Sequence, residues 1–235
     1  MRLLLIRHGQ TPANVRGELS TAAPGPGLTR LGTRQATQLV AALSREPIDA
    51  VFASTLVRTT LTGQPIALDR ELPIVERRGL HEIEAGDLED RTDPASVRRY
   101  LETVFAWGAG RLDVIMPGGS DGNEFFYRFD RDIDDIASRV NGTAAVFSHG
   151  AAIRVWAAGR ASNVNPRFAA ENELHNTGIV ELEGEPGDWR LVNWAGSPVG
   201  GRELVDATAE DPTGESLSEA REESRLVQPP SRRPG

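Results

Sequence analysis

Two hydrophobic patterns alternate along this chain. Short apolar runs at residues 3–6, 48–53 and 143–147 have the length and composition of strands buried on both faces. Between them, apolar residues recur at the three- and four-residue spacing of a helical face, first at Ala36, Leu39, Val40 and Leu43 and later at Phe125, Phe129, Ile133, Ile136 and Val140. This alternation predicts an α/β domain.

Two of the predicted strands end in the same pair of residues. The first run leads into Arg7-His8-Gly9, and the run at 143–148 leads into His149-Gly150. Ligands of open α/β sheets bind at the carboxyl ends of the strands, so two core strands that deliver the same pair to that edge predict one site. Gly9 has no Cβ, which lets the chain turn sharply and a ligand come close to the backbone.

An imidazole beside a guanidinium suits chemistry at phosphorus. Neutral imidazole is a good nucleophile, and the permanent charge of Arg7 lowers the pKa of His8, which keeps the ring unprotonated near neutral pH. The same cation would bind the phosphate under attack. A simpler interpretation is that His8 only caps a strand with satisfied hydrogen bonds.

The pattern Arg7-His8-Gly9-x-Thr11-x-x-Asn14, together with Ser148-His149-Gly150, resembles the histidine phosphatase superfamily in its phosphoglycerate-mutase-like branch. The resemblance runs from the first strand to about Leu182. It implies a three-layer αβα fold with a mostly parallel central sheet. It also implies the site residues: His8 as nucleophile, and a substrate-binding set made of Arg7, Gly9, Asn14, Arg58 and His149.

Arg58 stands shortly after the strand at 48–53, where Ser54 or Thr55 can cap a new helix. A cation near the positive end of a helix dipole is poorly placed unless an anion binds there. A surface arginine paired with a carboxylate would also fit this position. The run Ser-x-Leu-x-Arg-Thr-x-x-Thr from Ser54 resembles the family's second phosphate-binding arginine and favours the functional interpretation.

The residues alone leave three candidates for a proton donor: Glu82, Glu84 and Glu89. The position of Glu82, two residues after Leu80 and four before Gly86, resembles that of the family's proton donor. A departure from the family pattern lies further on, because relatives often carry a glutamate where this chain has Ser120. Ser120 or Asp121 can still cap the following helix.

We expect residues 1–199 to form the phosphatase domain. Within it, residues 90–116 resemble the family's inserted helical cap, with Asp93 as the cap of a helix from Pro94 to Trp107. Residues 200–235 are rich in Glu, Asp, Ser, Pro and Arg and predict a disordered tail, with at most a short helix around 218–226.

Composition narrows the function. The chain has 235 residues, a net charge of -8, no cysteine and no lysine. These values exclude thiolate catalysis, thiolate zinc sites and Walker-type phosphate lysines, and they argue against nucleic acid as a partner. We expect a cytoplasmic protein without a membrane span, a small phosphate ester as its substrate and no cofactor. The sequence makes no prediction of oligomeric state.

The sequence therefore predicts a metal-independent phosphomonoesterase of the histidine acid phosphatase type, with a phosphohistidine on His8 and Glu82 as general acid and base. A phosphoglycerate-type mutase is the closest competing function. Mutases of the family carry Arg and a His-Tyr pair after the catalytic Glu, where this chain has Ile83, Glu84 and Ala85. Two further functions stay open: a non-catalytic phospho-ligand binding module, and a metallohydrolase built on the four histidines, His8, His81, His149 and His175.

Overall fold

The computed structural model describes residues 1–206, 208–209 and 211–227. One six-stranded sheet lies at the centre of this part of the chain, formed by β1 (Arg2–Arg7), β2 (Ile48–Ser54), β3 (Ile74–Arg77), β4 (Thr143–Ser148), β5 (Ile179–Glu185) and β6 (Asp188–Ala195). The strand order is β3-β2-β4-β1-β5-β6. Strands β1 to β4 are parallel, β5 is antiparallel to β1, and β6 at the edge is antiparallel to β5. This confirms the mostly parallel sheet.

In the same described ranges, eight α-helices connect and flank these strands: α1 (Pro12–Val15), α2 (Arg30–Ala42), α3 (Val57–Asp69), α4 (Pro94–Gly108), α5 (Gly122–Arg139), α6 (Gly150–Arg160), α7 (Pro166–Glu171) and α8 (Leu217–Val227). Two of them, α4 and α5, begin at caps that the sequence predicts, Asp93 and Asp121, and α2 begins at the cap Thr29. Thr29, Asp93 and Asp121 each accept a hydrogen bond from a first-turn amide of α2, α4 and α5 respectively.

Alternate residues of β1 enter different cores, which confirms the three layers. Leu3 and Leu5 belong to a large apolar cluster that includes Phe129 of α5. Leu4 and Ile6 belong to a second cluster, on the other face, made with α2 and α3. Because side chains alternate across a strand, a run that is apolar at every position requires cover on both sides.

The predicted cap of α3 is wrong. Leu56 is the N-cap residue, and no side chain of the described residues caps this helix end. Ser54 still lies in β2, and its hydroxyl accepts a long hydrogen bond of 3.3 Å from the Leu56 N–H. The helix therefore starts later than expected, with Arg58 as its second residue.

The structure differs from the expected disorder over residues 211–227. Leu217 and Ala220 of α8 pack into the large apolar cluster. Buried Arg154 donates hydrogen bonds to the carbonyls of Thr213 and Glu215. These contacts stabilise the segment and offset the entropy that it loses on becoming ordered. Its few apolar residues alone were not expected to do so. The predicted short helix corresponds to α8, and residues 228–235 of the expected tail lie outside the described residues.

No helix among the described residues is long and apolar enough to cross a membrane. The predicted cap insertion at residues 90–116 contains α4, whose helix bounds lie within one residue of the predicted ones. Its role as a cap stays a prediction.

Candidate active site

The carboxyl ends of β1 and β4 bring the two predicted histidines together. These strands are adjacent and parallel, and Arg7 is paired with Ser148 in their register. The residue that follows each strand is therefore a histidine, and the two histidines lie at the same height along the strand direction. The ring centroids of His8 and His149 are 5.2 Å apart, and both residues are buried.

His8 has one ring nitrogen fixed and one free. Its Nδ1 lies 2.8 Å from the carbonyl oxygen of Gly9, and a carbonyl only accepts, so Nδ1 carries the proton. The lone pair is then on Nε2, which has no hydrogen-bond partner among the described residues. Burial above all, followed by the charges of Arg58 and Arg7, lowers the pKa of His8 well below its usual value. The ring is therefore neutral.

His149 has both ring nitrogens engaged. Its Nδ1 accepts a hydrogen bond of 3.1 Å from Nη2 of Arg58, which requires the proton on Nε2. Nε2 lies 2.8 Å from the hydroxyl of Ser54 and donates to it. Burial is the largest cause that lowers the pKa of His149 well below its usual value, ahead of the charge of Arg58. Ser54 is thus a site residue that the sequence interpreted only as a helix cap.

Arg58 lies at the beginning of α3 and contacts His149. Its Nη2 also donates to the carbonyl of Ser20, whereas its Nε and Nη1 are buried without a hydrogen-bond partner in the described part of the chain. Burial lowers the pKa of Arg58 to about 10, so the group is still a cation at neutral pH. A Cβ on Gly25 would lie 2.6 Å from Nη1, which shows how closely the loop encloses the guanidinium.

Arg7 is fully buried and anchored at its outer nitrogens. Nη1 donates to the carbonyl of Leu174 at 2.7 Å, and Nη2 donates to Asp211 at 2.6 Å and to Thr213 at 2.9 Å. Its Nε is buried without a hydrogen-bond partner among the described residues. The sequence carried no signal for these three anchors, because they lie 167 to 206 positions away from Arg7.

The carboxyl group of Glu82 lies at the N-terminus of α6, directly after His149. Its Oε1 accepts from the N–H groups of Ile83 and Ala152 at 2.9 and 2.8 Å, and Oε2 accepts from that of Ala151 at 3.2 Å. These bonds favour the charged form, but burial is the larger effect and raises the pKa of Glu82.

The two remaining acidic candidates have different surroundings. Glu84 is exposed. Glu89 accepts hydrogen bonds from the N–H groups of Thr21 and Ala22 and from the Thr21 hydroxyl, so it holds the loop that follows α1. Among the three glutamates, Glu82 is the one whose carboxyl group lies at the start of α6, next to His149, and its charge interacts with Arg58 and Arg7.

Gly9 and Asn14 shape the turn after β1. A Cβ on Gly9 would lie 2.7 Å from the carbonyl oxygen of Gly32, so only glycine fits between β1 and α2. Asn14 closes the short helix α1 onto Thr11, and its Nδ2 donates to Asp211 at 2.9 Å. Asp211 thus contacts both Arg7 and Asn14, a link that the sequence did not predict.

The four histidines do not form one cluster. His81 bonds to the hydroxyl of Thr55, and burial lowers its pKa to about 4. Nε2 of His175 lies 2.6 Å from a carboxylate oxygen of Glu173, at a partly exposed position. No group of three or more His, Asp or Glu among residues 1–206, 208–209 and 211–227 could hold a metal ion.

Two neutral imidazoles, two buried guanidiniums and a buried carboxyl group at the carboxyl edge of a parallel sheet define an anion site suited to phosphoryl chemistry. The sequence profile of the histidine phosphatase superfamily (branch 1) matches residues 3–196. The chain belongs to this superfamily.

Relatives with known names include phosphatases. The chain is 34% identical over 220 residues to the PE-PGRS family protein PE_PGRS11 of Mycobacterium tuberculosis, which covers 86% of this chain and 38% of that protein. It is 36% identical over 131 residues to the adenosylcobalamin/alpha-ribazole phosphatase of Escherichia coli, which covers 56% of this chain and 64% of the enzyme. The matched region thus spans less than two thirds of each relative.

Solved structures show the same fold. A mycobacterial glucosyl-3-phosphoglycerate phosphatase, solved in complex with VO3, superposes with a TM-score of 0.70 at 22% identity, over 83% of this chain and 99% of that one. The alpha-ribazole phosphatase of Shigella flexneri superposes with a TM-score of 0.67 at 27% identity, over 86% and 98% of the two chains. The chain therefore shares the fold of these phosphatases.

Proposed function

We propose that this chain is a metal-independent phosphomonoesterase that hydrolyses a small phosphate ester through a phosphohistidine on His8. The supporting observation is the free Nε2 of His8. Its ring is oriented by the Gly9 carbonyl, kept neutral by burial, and flanked by two buried guanidiniums. This is the arrangement of an activated nucleophile beside groups that bind the charge of its target.

In the first step, Nε2 of His8 forms a bond to phosphorus while the bond from phosphorus to the ester oxygen breaks. The negative charge on the equatorial oxygens is stabilised by Arg58, through the Nε and Nη1 that lack partners among the described residues, and by Nε of Arg7. Glu82 gives its proton to the leaving oxygen, which departs as an alcohol. The raised pKa of Glu82 supports its protonated form at the start of this step.

In the second step, water attacks the phosphorus of phospho-His8 and the N–P bond breaks. Glu82, now a carboxylate, takes a proton from the water, so the products are inorganic phosphate and the starting enzyme. The proposed mechanism assigns no role to a metal in either step.

A mutase would return the phosphoryl group to a second substrate hydroxyl instead of to water. The residues that follow Glu82 do not favour this outcome. Ile83 and Ala85 are buried and apolar, and Glu84 is an exposed anion, so none of them could bind the carboxylate of a phosphoglycerate.

The test is a phosphate-release assay over a panel of phosphomonoesters, combined with trapping of ³²P on the protein from a labelled substrate. We expect phosphate release that persists in EDTA, and an acid-labile, base-stable label on His8 that is lost in His8→Asn. Isomerisation of phosphoglycerates without phosphate release would replace hydrolase by mutase. Binding of phosphate esters without turnover or label would leave only a binding module.

A further inference from the structure

The loop that carries Glu82 is held in an unusual way. Five consecutive backbone carbonyls, from residue 79 to residue 83, each accept a hydrogen bond from a side chain. The donors to Gly79, Leu80, His81, Glu82 and Ile83 are respectively Arg128 at 2.5 Å, Ser148 at 2.8 Å, Arg128 at 2.9 Å, Arg128 at 2.8 Å and Tyr100 at 2.8 Å. Three of the five bonds come from one guanidinium.

We propose that Arg128 is a positioning residue for the general acid Glu82. Within the described residues, its guanidinium donates to backbone carbonyls and to no group that the proposed mechanism uses. Its hydrogen bonds therefore act on the reaction through the place they give to the Glu82 backbone, while its charge also interacts with Glu82 and His149. This inference rests on the proposed function, because it requires Glu82 to be the acid.

Helix α5 is built to present this guanidinium. The group lies over the ring of Phe125, 5.2 Å from its centroid, which fixes its plane. One turn further on, Asp132 accepts the N–H of Gly79 at 2.6 Å. A Cβ on Gly79 would lie 2.2 Å from the Arg128 carbonyl oxygen, so the loop is pressed directly against the helix.

The position of the backbone matters because the Glu82 carboxyl group is fixed from both ends. Its oxygens are held by the amides of Ala151 and Ala152, beside His149. A displaced loop would move the carboxyl group away from these amides and from the leaving oxygen. Misplacing a catalytic group by about 1 Å can cost about 100-fold in rate.

The size of the effect depends on the leaving group. An alkyl phosphate needs the proton of Glu82 to expel its alkoxide, whereas an activated aryl phosphate does not. If Arg128 serves the acid, its loss slows the alkyl substrate selectively. If it only stabilises the fold, both substrates lose rate equally.

The experiment compares kcat/KM for β-glycerophosphate and p-nitrophenyl phosphate in Arg128→Met and Arg128→Lys, because kcat/KM reports the transfer of the phosphoryl group to His8 and leaves out the later hydrolysis that both substrates share. We expect Arg128→Met to lower the alkyl rate by about 10- to 100-fold and the aryl rate by less than about threefold. Arg128→Lys, which keeps the charge but not the forked geometry, should lie between wild type and Arg128→Met. Equal losses for both substrates would overturn the proposal.

Arg160 provides a matched control. It stacks on Phe126 of α5 at 4.1 Å and pairs with Asp130, and none of its hydrogen bonds within the described residues reaches the loop at 79–83. Arg160→Met should leave the ratio of alkyl to aryl rates at the wild-type value. Should Arg128→Met fail to fold, Tyr100→Phe removes a single bond to the same loop and is expected to change the ratio in the same direction by about two- to fivefold.

The variant Glu82→Gln distinguishes a failure of the Arg128 inference from a failure of the proposed function. We expect a selective loss for the alkyl substrate of about 10²–10⁴-fold. An unchanged ratio in Glu82→Gln would remove Glu82 as the acid and the proposed mechanism with it. A selective loss in Glu82→Gln with no selective loss at Arg128 would overturn the positioning role alone.

Discussion

The ends of β1 and β4 carry the same His-Gly pair, yet the two rings are bound differently. His8 uses Nδ1 for a local carbonyl and leaves Nε2 without a partner in the described part of the chain. His149 uses both nitrogens, one for Arg58 and one for Ser54. The two rings therefore hold opposite tautomers, since His8 is protonated on Nδ1 and His149 on Nε2.

The difference follows from what precedes and faces each strand end. β1 ends in Arg7, whose outer nitrogens are committed to Leu174 and Asp211, so they do not reach the Nε2 of His8. β4 faces β2 and the start of α3, which supply Ser54 and Arg58 as partners. A dipeptide at a strand end thus specifies where an imidazole lies, whereas the neighbouring strand determines what the imidazole can do.

The first prediction tests whether this difference separates a nucleophile from a binding group. His8→Ala should reduce phosphate release to background and abolish labelling by ³²P, because the second ring of the pair, His149, has both nitrogens engaged. His149→Ala removes the acceptor that holds Arg58, a group that stabilises transition-state charge, so kcat should fall by about 10²–10³-fold and the variant should still accept the label. Label retained in His8→Ala and lost in His149→Ala would reverse the two roles.

Much of this site could be predicted from local sequence, because strand ends and glycines are local features. The placement of Arg7, His8 and His149 needed only two apolar runs with polar ends. Glu82 was harder, since nothing in its own segment distinguishes it from Glu84, and only the family resemblance selected it. The five side-chain bonds to its loop come from three distant elements and have no local signature.

The segment after residue 200 marks the limit of composition as a guide. Its charge and low apolar content predicted disorder, yet Asp211 and Thr213 bind Arg7 and carbonyls of the segment bind Arg154. Both arginines are buried, so their need for acceptors orders the segment. Such pairing depends on the folded core and cannot be found in the segment itself.

The second prediction tests whether the function of Arg7, the residue before His8, depends on the segment after residue 200. Asp211→Ala removes the acceptor shared by Arg7 and Asn14, which should loosen the Arg7 guanidinium and lower kcat/KM by about tenfold. Asp211→Asn retains an acceptor oxygen and should lose less. Phosphate-release kinetics at several substrate concentrations provide the measurement.

Asp206→Asn is the control for Asp211, because Asp206 lies in the same segment and binds the neutral amide of Gln10. It should leave kcat/KM within about twofold of wild type. If Asp211→Ala instead raises kcat/KM and tightens inhibition by inorganic phosphate, the carboxylate competes with substrate for Arg7, and its anchoring role is wrong.

The third prediction has the smallest expected effect and concerns the lowered pKa values that the two histidines share. Both have pKa values lowered well below the usual value, mainly by burial, so both are neutral in the fold. In the unfolded chain each has a pKa of about 6.5. Between the folded and unfolded values the unfolded chain binds more protons, so the free energy of unfolding falls as pH falls through about 6.5. Acidification from about pH 7 to pH 5.5 should lower the free energy of unfolding by about 1 kcal/mol for each of the two histidines.

Urea unfolding at these two pH values should show the effect in His8→Gln and His149→Gln. Each variant should lose about 1 kcal/mol less than wild type on acidification, and the double variant about twice that. The raised pKa of Glu82 acts in the opposite direction, but Glu82 is common to all four proteins, as is His81. Equal contributions would mean that the two rings differ in tautomer and partners but not in charge. A pH dependence that His149→Gln leaves unchanged would mean that His149 titrates alike in the folded and unfolded chain, so that burial does not keep it neutral. A larger loss in His149→Gln than in wild type would mean that His149 is a cation in the fold, and its Nδ1 could then not accept from Arg58.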